Sequence, residues 1–519
     1  MELERKYAGL NQRRGNAVSQ ITLEEDFNVP DQKPDIFRIV HKQGEFRPDE
    51  IKGEMGKVKV RGVFLYRILY IGEGGDRMPE VLEGSIPVDE TIFLNGMEEG
   101  DLLDFRWELE HLHASMIHSR KANVKCILVL AAEAMKEQPV PLVSCPEEGM
   151  EMYVKTCPVR IQQEVIHKKD TLRVREEINL PPGRPNIQRI LWREIRLQGT
   201  DVRQEERKLL VKGELVVFFL YLCEEGRLQW MEQGIPFHQE MECDACHADL
   251  TGKAEVNLLR SELELQADYD GEPRMVRLDA VLELLLRYFE DSVSEVLCDA
   301  YSLSCEIEPV QKEYQWDFVK GISDSRARVQ GRMKLSDAEP KMLQILNAGT
   351  MLHLEHTEQS ERGVLTQGNV ELWILYATSD DAQPLACATH FFPFEHTAEM
   401  QGMDENCDWQ VNLCLDQLLV TMLDAQELEM KAVLQMQVLF SQPESKVLVE
   451  ELNEAPLNKE RIKQMPGMVI HVVQPGETLW DISKAHSTTC QAVMELNELK
   501  DEILKPGQKI LMVKEVMRS

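Results

Sequence analysis

No apolar run in the 519 residues is long enough to cross a membrane as a helix. The longest, Leu215 to Cys223, is about half the length required and stops at Glu224-Glu225-Gly226. Met1 to Gln20 mixes Glu2, Glu4, Arg5, Lys6, Arg13 and Arg14 with polar residues and has no apolar stretch before a small-residue cleavage site, so the expected location is the cytoplasm. Bases are scarce, with 58 Lys and Arg against 90 Asp and Glu and a formal charge of −32. Such a field repels phosphate backbones and anionic lipid, which removes nucleic acid as a natural partner. Cysteine is sparse too: 12 residues at irregular spacings predict free thiols in a reducing compartment rather than a disulfide framework. There is no Gly-x-x-x-x-Gly-Lys loop, Gly-x-Ser-x-Gly elbow or His-Glu-x-x-His helix, so no enzyme and no cofactor is expected. What is present, 43% apolar and 29% charged residues, is a globular composition. At roughly 100–200 residues per domain the length allows about three to five domains.

The chain repeats itself. Glu25-Asp26-Phe27-Asn28-Val29-Pro30 and Lys33-Pro34-Asp35-Ile36-Phe37-Arg38-Ile39 return as Glu176-Glu177-Ile178-Asn179-Leu180-Pro181 and Arg184-Pro185-Asn186-Ile187-Gln188-Arg189-Ile190. The same spacing carries Val60-Arg61-Gly62 onto Val211-Lys212-Gly213 and Leu69-Tyr70-Ile71 onto Leu220-Tyr221-Leu222. A third, weaker copy begins at Pro340-Lys341-Met342-Leu343-Gln344-Ile345, runs through Gly368 to Leu375-Tyr376, and lacks the arginine of the proline motif. Farther along, Ile86-Pro87-Val88, Ile235-Pro236-Phe237 and Phe392-Pro393-Phe394 correspond.

Within a unit, Val58, Val60, Phe64, Tyr66, Ile68 and Tyr70 share one parity and Lys57, Lys59 and Arg61 the other, which is strand period. From Val63 the second parity also turns apolar, so this strand should start half exposed and finish buried on both faces. It should end in the turn Gly72-Glu73-Gly74-Gly75-Asp76. Pro34 is suited to open a short helix carrying Ile36 and Ile39 on one face. The expected fold class is mainly β: three tandem β-sandwich-like repeats plus a C-terminal α+β (β-α-α-β) module. The expected bounds are 20–140, 165–295 and a degenerate 317–441 for the repeats, 442–467 for a charged linker with some helix around Glu444 to Glu454, and 468–514 for the module.

In that module Val469 to Lys484 reads as strand, Pro-Gly turn and helix start, with Thr478 and Asp481 forming a capping box. Cys490 to Leu499 reads as a second helix, and Lys505-Pro506-Gly507-Gln508-Lys509-Ile510-Leu511-Met512 as a turn and returning strand. The elements Gln-Pro-Gly-Glu-Thr-Leu-Trp-x-Ile and Leu-x-Pro-Gly-Gln-x-Ile closely resemble the LysM family, whose members bind N-acetylglucosamine-containing glycans in a shallow groove. That resemblance places a groove at Gly476, Glu477, Thr478 and Leu479 on one side and Ile503, Leu504 and Pro506 on the other. Trp480 reads equally as a cover for the small core or as an interface anchor. His486-Ser487-Thr488-Thr489-Cys490 departs from the family's usual Tyr-Gly-Val-containing connection.

The upstream repeats resemble the SPOCS-type units of the SipL-like spore-coat morphogenetic family. The resemblance implies a scaffold in the mother-cell cytoplasm that binds a SpoIVA-type coat ATPase and other coat proteins at the forespore surface, with the LysM module holding the protein partner. The competing reading is a LysM that binds peptidoglycan or its lipid-linked precursor. Residues 469–519 hold seven acids and six bases, so the acidity belongs to the repeats and favours basic or metal-bridged partner surfaces, or simply solubility.

Three further groups have the residue types of reactive or metal sites. Cys243-Asp244-Ala245-Cys246-His247 has the spacing of a c-type haem attachment or half a zinc site. It aligns with the connection Gly96-Met97-Glu98-Glu99-Gly100-Asp101 and with Gly402-Met403-Asp404-Glu405, and no second Cys pair accompanies it, so no metal is expected. Cys126 aligns with Ala280 and Ala432, which predicts packing rather than nucleophilic chemistry. The pairs His111 and His113, and His353 and His356, have no third ligand in metal spacing and read as solvated.

Overall fold

The alternation along Lys57–Gly72 produces a strand whose Val58, Val60, Phe64, Tyr66, Ile68 and Tyr70 are buried while Arg61 is exposed. In this computed structural model, residues 4–74, 77–144, 152–380, 382–400, 403, 406–457, 460 and 466–513 are described. Residues 75 and 76 of the expected turn, and 402, 404 and 405 of the third connection, lie outside them.

The first unit is β1 (Glu4–Asn28), β2 (Ile36–Glu54), β3 (Lys57–Gly72), β4 (Pro79–Phe93), β5 (Leu102–His118) and β6 (Lys121–Ser144). Its two antiparallel sheets, ordered β2-β3-β4 and β1-β6-β5, face each other. Their inward side chains, including Phe64, Tyr66, Ile86, Leu112, Val124, Cys126 and Leu128, form one core. The second unit repeats this with β7 (Met152–Asn179), β8 (Ile187–Glu205), β9 (Lys208–Cys223), β10 (Leu228–Glu242), β11 (Thr251–Gln266) and β12 (Met275–Ser302). The third does so with β13 (Cys305–Lys334), β14 (Met342–Ser360), β15 (Gly363–Thr378), β16 (Leu385–Glu399), β17 (Asp408–Met422) and β18 (Glu427–Pro456). Strand pairing therefore carries each unit beyond the bounds expected from the repeats.

Two local expectations fail. The proline motif starts no helix, because Tyr70 donates its hydroxyl to the Pro34 carbonyl (3.0 Å) and the Ile36 N–H bonds Ser119 O (2.7 Å), which draws the chain straight into β2. Tyr376 repeats the contact on Pro340 (3.2 Å). Nor is 443–456 a linker. Leu448, Val449 and Leu452 are buried in β18, paired to β13, while β17 begins at Asp408 opposite Ser441, so among the described residues no third strand lies beside Pro443 to require its missing N–H. Residues 458, 459 and 461–465 lie outside the described residues.

The repeated glycine has a steric cause. A Cβ on Gly62 would come within 2.3 Å of the Arg47 carbonyl, and one on Gly368 within 2.1 Å of His353 O, so the neighbouring strand crosses where a side chain would stand.

The expectation that β3 finishes buried on both faces holds: Leu69 and Ile71 are fully covered. The cover is the other two units. Leu69, Leu220 and Leu375, equivalent positions in the three copies, meet in one cluster, and Leu10, Ile161 and Trp316, also equivalent, meet in another. Arg189 pairs with Glu80 between the first and second units, Arg196 donates to Asn347 Oδ1 (2.7 Å) between the second and third, and the Arg13 N–H donates to Asp317 Oδ2 (2.6 Å) between the first and third. The units thus close into a ring of approximate threefold symmetry.

At one junction the equivalent positions are His41, Trp192 and Asn347, all buried. Beside Trp192, Glu194 accepts from Asn347 Nδ2 (3.0 Å). Burial pushes the Glu194 carboxyl up to about 7, against the pull of Arg196 and Arg67. The native state holds this proton longer than the unfolded chain, so stability falls as pH rises from the ordinary 4.5 through about 7. Glu194→Gln keeps an acceptor for Asn347 and cannot ionise. It is expected to match the wild type at pH 4.5 and to exceed it at pH 8 by up to about 3 kcal/mol. Thermal melts at both pH values check this, and equal melting of the two proteins at pH 8 would refute it.

Candidate functional site

The C-terminal module is β19 (Met468–Val472), α1 (Leu479–Ala485), α2 (Cys490–Leu496) and β20 (Lys509–Val513), with β19 antiparallel to β20. Thr478 caps α1 in the expected capping box with Asp481, and Thr489 caps α2. Val473, Leu479, Ile482, Val493, Ile510 and Met512 make the core.

Two backbone hydrogen bonds, Val473 N to Gln508 O (3.0 Å) and Gly507 N to Val473 O (2.8 Å), tie the two expected groove loops together. Gly476 and Gly507 turn them, at φ +88° and +83°. Gly476, Thr478, Ile503 and Pro506 are exposed, Ile503 at 78%. Leu504 is half-buried against the core. Glu477 is held low by the hydrogen bond from His471 Nε2 (2.8 Å), helped by the Gln474 N–H (2.7 Å), so its carboxylate braces its own loop. Leu479 is 1% exposed and cannot line a groove with its side chain, because it is a core residue.

Trp480 is an anchor, but within the chain. Its indole N–H donates to Asp299 Oδ2 (2.8 Å), its ring meets Tyr301 edge-on at 4.9 Å, and Lys484 Nζ binds Asp299 Oδ1 at 2.6 Å. Tyr301 also donates its hydroxyl to the carbonyl of buried Thr488 (3.0 Å). The connection that departs from the usual LysM sequence is thus a surface docked on the end of β12. A register shift between Leu297 and Asp299 accompanies this, and Cys157 is disulfide-bonded to Cys298 beside it. Sequence reasoning missed Asp299 and Tyr301, which carry no motif.

Cys243 and Cys246 form a second disulfide, so the expectation of free thiols is corrected at four positions. Cys243 N bonds Arg207 O (3.0 Å) and Arg207 N bonds Cys246 O (2.9 Å), the bonds that Leu94 and Met97 make with Gly56 in the first unit. Cys246 is buried as Met97 is, plugging the end of the sandwich. Among the described residues no group of three or more His, Cys, Asp or Glu side chains is placed to hold a metal ion. Cys126 packs in the core as expected, and burial pushes its thiol up to about 11. His111, His113 and His356 are exposed, but His353 is not solvated: its side chain is 16% exposed and bonds Glu371 (3.1 Å), which raises its pKa.

Comparison with family models matches a LysM domain to residues 471–512 and the SipL, SPOCS domain to residues 35–117, 186–266 and 341–423. The chain is SipL-like. Its SPOCS matches run from β2 to β5 of the first unit and over the equivalent strands of the others, leaving β1, β6 and their counterparts, which carry the cluster of Leu10, Ile161 and Trp316, outside the match. No curated protein and no solved structure matches the chain. The domain set makes it a sporulation-related scaffold with a LysM binding module.

Asp299 carries two bonds to the LysM, each worth about 2 kcal/mol when charge-assisted. Asp299→Ala is expected to release the LysM from the ring, raising the maximum dimension in small-angle scattering while the far-ultraviolet spectrum keeps its strand signal. An unchanged scattering profile would show that the other contacts suffice.

Proposed function

We propose that this chain is a non-enzymatic adaptor in spore-coat assembly that tethers a coat-basement ATPase of the SpoIVA type to the forespore surface from the mother-cell cytoplasm. The LysM loops form its protein-adhesion site. The observation that carries the reading is that the LysM is held to the SPOCS ring by Asp299 and Tyr301 while Ile503 and Pro506 stay exposed. A rigid body that presents a small module in one orientation spends little ordering entropy when the partner arrives. Several contacts on one chain then raise the effective concentration of partners at an assembling surface. In this reading Trp480 pins the module to the ring.

The second reading, glycan binding, draws on the exposed loops joined through Val473 and Gly507, which leave a shallow surface of the kind a saccharide chain occupies. Calorimetric titration of the full chain against the purified ATPase, and separately against chitin and peptidoglycan oligomers, distinguishes the two. Ile503→Asp, a change at an exposed loop position, is expected to weaken the ATPase at least tenfold without unfolding the protein. Binding of glycan alone, lost in that variant, would replace the adaptor reading of the module.

A further inference from the structure

The junction between ring and LysM forms an open cleft of about 870 Å³ whose Glu502 end adjoins the groove-loop residue Ile503. Its ring side is Tyr153, stacked on Tyr301 at 5.1 Å, and its LysM side is Trp480, Met494 and Leu499. Glu495, Glu498 and Glu502 stand on the rim, all exposed, and Lys155 is the sole base among the lining residues. Gln491 donates to Glu495 (2.9 Å) and leaves its charge unmatched. Nearby Asp299 is neutralised by Lys484, and Lys155 interacts electrostatically with Asp481. The rim is therefore acidic over an aromatic and thioether floor.

We propose that this cleft docks a basic linear segment of a protein partner, with Lys or Arg stems lying on Tyr153, Trp480 and Met494 and their cationic heads at Glu495, Glu498 and Glu502. Long basic side chains cover apolar surface with their methylenes while the charge reaches outward, and cations are attracted to aromatic faces. Three carboxylates against one lysine supply the complementarity that selects such a segment over an acidic one. Each separate piece holds only one half of the cleft, so the complete site is a product of the Asp299 latch. It stands whether or not the ATPase is the partner.

The test uses the full chain and a fluorescein-labelled octapeptide pool with Lys or Arg at alternate positions and Ala, Leu or Tyr between, read by anisotropy at 150 mM salt. A Glu/Asp pool is the charge-reversed control, and an N-acetylglucosamine tetramer is the competitor. The basic pool is expected to bind and to weaken at least tenfold in the triple variant Glu495→Gln, Glu498→Gln, Glu502→Gln. It should stay within twofold in Glu176→Gln, Glu177→Gln, Glu361→Gln, which removes the same charge from exposed positions on the ring. Equal weakening in both triples would reduce the binding to diffuse attraction by an acidic protein and overturn the proposal. Absence of basic-pool binding, or its displacement by the tetramer, would overturn it as well.

Discussion

Leu69, Leu220 and Leu375 need cover on a face that their own sandwiches cannot supply. Each of β3, β9 and β15 already commits its other face to the core beneath it, so the remaining apolar row is satisfied only by the same row from two other copies. The stack of Leu10, Ile161 and Trp316 imposes the same demand through β1, β7 and β13. Two-sided burial is thus what turns three sandwiches into a ring, and the ionic contacts between units, such as Arg189 with Glu80, orient a closure that apolar area drives.

The ring in turn determines what the LysM is able to do. A module of this size has a core of a few side chains and little surface to spare. By placing Trp480, Lys484 and Thr488 against Asp299 and Tyr301, the chain uses the helical side of the module for attachment and leaves the loop side facing outward. The same attachment creates an aromatic, acid-rimmed cleft that belongs to neither part alone. The structure thus holds a small LysM module in one orientation on a large acidic body.

Much of this was legible in advance because repetition and alternation are local properties of a sequence. Equivalent residues proved equivalent in space, down to Cys126, Ala280 and Ala432 in matching buried positions. The Thr478–Asp481 capping box, a contact within one turn, was readable for the same reason. Failures arose where a distant partner outweighed a local preference. Pro34 had a helix-opening sequence, but Tyr70 and Ser119, far along the chain, hold it extended. Charged 443–456 resembled a linker until β13 supplied its hydrogen bonds. Cys243 and Cys246 resembled half a metal site and instead fill the place of Leu94 and Met97.

Sequence alone determined the three copies, the strand period within each, and the β-α-α-β module at the end, since each is written in spacings of a few residues or in a constant offset. Only the tertiary structure decided that the copies close around an axis and that Trp480 turns inward to the ring. Those outcomes depend on surfaces meeting across more than a hundred residues of chain, where burial of area, and not local pattern, selects the partner.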